Sequence, residues 1–149
     1  MFEGGFDLEA AETVIDLESF QNAPWVLDAI QSLVDKSLIR TVNDDRFGLL
    51  VSLQEYASER LHQMGAVDTT EQNHGTYYAT FGTEEALSML HRHGGITASN
   101  VLNRELDNLM VAWKRAVASG QIAIAARTAL ATIDVLRRIG PIHSAVSIA

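Results

Sequence analysis

Between Leu33 and Leu61 the chain changes its hydrophobic period twice, and that order leaves few folds open. Leu33-Val34-Asp35-Lys36 closes a helical pattern. Leu38-Ile39-Arg40-Thr41-Val42 and Arg46-Phe47-Gly48-Leu49-Leu50 read as two strands, and Ser52-Leu53-Gln54-Glu55-Tyr56 opens a second helix. The link Asn43-Asp44-Asp45 consists of residues that tolerate turn geometry. A helix, a tight hairpin and a helix in that order form the body of a winged-helix domain.

The flanking residues extend this reading. Asp7 is placed to cap a first helix whose apolar face is Leu8, Ala11, Val14 and Ile15. Pro24 suits the first turn of the next helix, with Trp25 near its start and Leu27, Ile30, Leu33 and Val34 as its buried stripe. Ser52 and Glu55 have the spacing of a capping box, in which hydroxyl and carboxylate each satisfy the other's backbone N–H. The helix they open is expected to bury Leu53, Tyr56, Ala57, Leu61 and Met64 and to stop at Gly65.

From about residue 68 only helical periodicity is present. One helix carries His74, Tyr77, Tyr78 and Phe81 and stops at Gly82, and a short one starts at Thr83-Glu84-Glu85 and ends before Gly94-Gly95. A long helix is expected over 98–119, with Leu106, Leu109, Met110 and Trp113 on its packed face. A last one over 121–139 carries Ile122, Ala125, Ala126, Ala129, Leu130, Ile133, Leu136 and Ile139, and Gly140-Pro141 halts it. The pair joined at Gly120 reads as an antiparallel helical hairpin. The fold class is therefore mainly α: a winged-helix domain over 1–66, then a TPR-like helical region over 67–149.

Composition narrows the functions. A chain of 149 residues, 47% hydrophobic, is long enough to bury about 70% of its unfolded surface. It has no cysteine, which excludes disulfides, thiolate metal sites and cysteine nucleophiles. No apolar run approaches the roughly 20 residues of a membrane span, and no signal peptide is visible, so a cytoplasmic protein without membrane contact is expected. The formal charge of −8 is uneven. Residues 1–72 hold 14 acids against Lys36, Arg40, Arg46 and Arg60, whereas residues 73–149 hold five acids against seven bases. Binding to nucleic acid depends on cations that neutralise phosphates, so an acidic winged helix disfavours it.

No catalytic constellation stands out. His91-Arg92-His93 places two imidazoles on different sides of a helix with no third ligand, and His62 and His74 are lone histidines. Asp44-Asp45 and Glu84-Glu85 fall at a turn and a helix start, where acids favour the local backbone. Arg137-Arg138, with Arg127, read either as a basic patch or, for the pair near the helix C-terminus, as a complement to its dipole, and the second reading is favoured. No enzyme activity, cofactor or metal is expected. Trp25, at a helix start, and Arg46, on the hairpin, are the candidate partner contacts, while Trp113 is in phase with core positions.

Phe2-Glu3-Gly4-Gly5-Phe6-Asp7-Leu8-Glu9-Ala10-Ala11, followed by the run to Leu61, resembles the winged helix of bacterial STAND-type signalling ATPases, relatives of the NB-ARC ATPases. His74-x-x-x-Tyr78 and Glu105-Leu106-Asp107-Asn108-Leu109, with Ala112 and Ala116, resemble the start of the helical region that follows in that family. The resemblance implies a non-catalytic regulatory piece of a longer chain. Its winged helix, lacking a first helix, would dock on an upstream ATPase domain, and its truncated helical array would meet protein partners or a second copy. The chain has no phosphate-loop motif, and Leu49-Leu50-Val51 stands where NB-ARC relatives place Met-His-Asp. The alternative is a small DNA-binding winged-helix regulator with a helical dimerisation tail.

Overall fold

The computed structural model describes residues 2–17, 20–43, 45–90 and 95–139. The chain divides into two compact units, 1–77 and 78–149, both mainly helical. Asp44, His91, Arg92, His93, Gly94 and Gly140-Pro141 lie outside the described residues.

The first unit has the winged-helix order: α1 (Leu8–Val14), α2 (Val26–Asp35), β1 (Ile39–Asn43), β2 (Arg46–Leu49), α3 (Val51–Met64) and most of α4 (Val67–Ala79). Asp7 caps α1 as its spacing predicts, its Oδ1 accepting from the N–H of Ala10 at 2.8 Å. β1 and β2 pair antiparallel with Ile39 opposite Leu49 and Thr41 opposite Phe47, and the register shifts between Thr41 and Asn43. Phe6 adds a single bridge on the outer side of the hairpin. It exchanges two backbone hydrogen bonds with Phe47, at 2.9 and 2.7 Å. Phe2 stacks on Phe6 with ring centroids 4.7 Å apart, and Phe6 lies 5.8 Å from Phe47. Also buried in this unit are Ala10, Ala11, Val14, Ile30, Ile39 and the fully enclosed His74, whose ring centroid lies 5.5 Å from that of Phe2.

Several expected core positions face outward instead. Leu27 and Tyr56 are exposed, and so is Met64; of the expected α2 stripe only Ile30 is fully buried, and α3 buries no residue completely. The capping box at Ser52 is not formed. β2 runs almost directly into the helix, so Leu50 takes the N-cap position, α3 begins at Val51, and no side chain caps it. Ser52 already lies in the first turn, past the position from which a hydroxyl reaches back to the free N–H groups. Gly65 ends α3 in the left-handed region, φ 66°, as expected of a helix-stopping glycine.

The second unit contains a 3₁₀ turn (Thr80–Gly82), α5 (Glu84–Leu90), α6 (Gly95–Arg104), α7 (Leu106–Ala118) and α8 (Ile122–Ile139). α7 and α8 pack closely as a hairpin, with Gly120 at φ 71° in the turn. The single helix expected over 98–119 is broken at Glu105. That side chain is buried, and its Oε2 accepts from the hydroxyl of Tyr78 at 3.0 Å and from Nδ2 of Asn108 at 2.9 Å. Anchoring this carboxylate interrupts a segment that contains no helix breaker. The 3₁₀ turn lies hard against α8, since a Cβ on Gly82 would fall 1.9 Å from the carbonyl oxygen of Arg127. α8 buries Thr128, Ala131 and Val135, so the apolar set Ile122, Leu130, Ile133 and Leu136 is exposed rather than packed, as is Trp113 on α7.

Candidate functional site

The functional surfaces of a winged helix are the helix that precedes the hairpin and the hairpin itself. Here the helix is α2. Its exposed side presents Leu27, Asp28, Gln31 and Asp35, with Trp25 at the N-cap and 83% exposed. Gln31 donates from Nε2 to Asp35 at 2.9 Å, one turn further along. Asp28 lies in the first turn, where the helix dipole favours an acid. None of these groups is a cation.

Exposed cations in this unit lie elsewhere. Lys36 follows α2 directly, Arg40 is on β1, and Arg60 is on α3. Lys36 and Arg40 therefore flank the start of the hairpin. Gly48 faces Arg40 across the ladder, with Nε of Arg40 3.5 Å from the point a Cβ would occupy.

Of the two candidate contact residues, Trp25 is where a partner could reach it. Arg46 is not: it is 5% exposed, and its guanidinium donates from Nη2 to the carbonyl oxygens of Gly5 at 3.0 Å and Gly4 at 3.3 Å, and from Nε to Gly4 at 3.3 Å. It straps the N-terminal arm to the hairpin. That arm is also held by Nε2 of Gln54, which donates to the carbonyl of Phe2 at 3.2 Å.

Beside Trp25, the loop between α1 and α2 walls an open hollow of about 740 Å³. No sequence signal marked it, because its lining residues, among them Ile15, Phe20, Trp25 and the distant Asn73, form no motif. Among the described residues, no group of three His, Asp or Glu side chains could hold a metal ion. No described helix is long and apolar enough to cross a membrane.

Three relatives, one from Mycobacterium bovis and two from strains of Mycobacterium tuberculosis, match this chain at 34% identity over 136 residues. All three are named as HTH-type transcriptional regulators. The match takes in 86% of this chain but only 14% of each relative, so the chain spans about one-seventh of the curated proteins it resembles. No protein-family model matches, and no solved structure matches.

These relatives correct two expectations. The resemblance to STAND and NB-ARC ATPases, and with it a docking role on an ATPase domain, is set aside, since the relatives are named for transcriptional regulation. A helix–hairpin–helix order is common to both classes of protein, so the pattern alone did not separate them. The expectation that nucleic acid is an unfavoured partner is set aside as well. It rested on the summed charge of residues 1–72, whereas contact with a phosphate depends on where individual cations stand.

Proposed function

We propose that this chain is the winged-helix and helical segment of an HTH-type transcriptional regulator that contacts duplex DNA. The observation that carries this reading is the 136-residue match to regulators of that name, over a chain whose first unit has the winged-helix order. In this reading the protein is a non-enzymatic cytoplasmic regulator, and its helical second unit serves in dimerisation.

The arrangement of charge favours one mode of contact. The exposed side of α2 carries Asp28 and Asp35 and no arginine or lysine, so it is poorly suited to reading guanine edges in a major groove. Lys36 and Arg40 would instead bring the hairpin to the phosphate backbone, giving contact that positions the unit without reading sequence. Fluorescence anisotropy with a labelled duplex tests this. The full chain is expected to bind, and the double variant Lys36→Glu, Arg40→Glu to lose most of that binding. Equal binding by the double variant would refute the hairpin contact.

A further inference from the structure

The hollow beside Trp25 points to a second ligand of different chemistry. Its described walls come from the end of α1, residues on either side of α2's start and Asn73 of α4. Ile15, Phe20, Pro24 and Trp25 supply apolar surface, and Glu12 and Asp16 supply carboxylates. Trp25 is 83% and Phe20 45% exposed, although large aromatic side chains bury 150–250 Å² each when packed. The volume of about 740 Å³ falls within the range of pockets that enclose a ligand group, roughly 300–1,000 Å³. Lining residues include two acids and no lysine, arginine or histidine. The whole of residues 1–77 carries 14 acids against four bases.

We infer that this hollow receives a basic, amphipathic segment of a partner protein, with an arginine or lysine held between Trp25 and the carboxylate of Glu12. The charge complementarity selects the occupant. A cation over an indole face gains from the ring quadrupole, and an acid in the same lining adds Coulomb attraction. Apolar neighbours in the segment would cover Ile15 and Phe20. A nucleic-acid phosphate would meet only like charge here, so this surface is separate from the hairpin cations Lys36 and Arg40. The inference does not rest on DNA binding by the hairpin.

The probe is a fluorescein-labelled peptide of alternating arginine and leucine, titrated into the full chain by anisotropy, with a glutamate–leucine peptide of equal length as its counterpart. The expected result is saturable binding of the basic peptide only, weakening with added salt. Trp25→Ala is expected to cost about tenfold in affinity, as truncating a central aromatic anchor does, and Trp25→Phe to restore most of it. Glu12→Lys is expected to weaken binding while leaving the circular dichroism spectrum unchanged, since both Trp25 and Glu12 are exposed. The inference is overturned if no saturable binding occurs, or if both variants bind like the parent chain, which would assign the peptide to the general acidic surface. It is also overturned if Trp25→Ala abolishes duplex binding, which would place the hollow in the DNA interface.

Discussion

Arg46→Ala is expected to loosen the N-terminal arm from the hairpin. The side chain donates to the carbonyl of Gly5 at 3.0 Å and, from Nε and Nη2, to that of Gly4 at 3.3 Å each. Hydrogen bonds from a charged donor contribute about 1.5–3 kcal/mol each. Two of these are long, and Gly4 is exposed, so its carbonyl regains water when the donor is removed. A net loss of about 2 kcal/mol follows, or roughly 30-fold in the local opening equilibrium. The readout is amide hydrogen exchange at Phe6 and Phe47, whose reciprocal backbone bonds close the arm on the hairpin. Both amides are expected to exchange about 30-fold faster in the variant. Unchanged protection together with weakened binding of a duplex or peptide would refute the strap and make Arg46 a contact residue.

Other positions give sharper contrasts. Gly82→Ala places a methyl carbon against the backbone of α8, which cannot move aside as a side chain could, and is expected to cost the second unit about 3 kcal/mol or more in urea unfolding. Gly65→Ala meets open space and suffers only from its φ of 66°, so about 1 kcal/mol is expected there. Ser52→Ala is expected to change stability by less than about 0.5 kcal/mol, because the hydroxyl caps nothing; a loss of 1 kcal/mol or more would restore the capping box. Glu105→Ala removes the acceptor shared by Tyr78 and Asn108 in the core of the second unit and is expected to cost about 3 kcal/mol in the same unfolding experiment.

The hairpin was legible because strands and turn each carry a local signature: β-favouring residues such as Ile39, Thr41, Val42 and Phe47, and turn formers between the two runs. Asp7, Gly65 and Gly120 were legible for the same reason, since each acts within a turn or two of its own position. What was missed depends on distant residues. Nothing near Glu105 breaks a helix, and its partner Tyr78 lies 27 residues earlier. Arg46 looked like a surface cation because its acceptors at Gly4 and Gly5 are some 40 positions away. Periodicity identified apolar faces in α2, α3, α7 and α8 but could not say which would find a neighbour, so Leu27, Tyr56, Trp113 and Leu130 were assigned to a core they do not enter. Summed charge obscured the division of the first unit's surface into an acidic hollow beside Trp25 and a hairpin bearing Lys36 and Arg40.

The most direct test of duplex contact is the salt dependence of DNA binding, measured for the full chain and for Lys36→Glu, Arg40→Glu. Two neutralised phosphates give a slope of log affinity against log salt of about −2, or roughly tenfold weakening between about 50 and 200 mM salt. The account predicts that slope for the parent chain and near-complete loss in the double variant. Absence of duplex binding at the lower salt, or a slope that the double variant leaves unchanged, would contradict it and move DNA contact to parts of the longer relatives that this chain does not span.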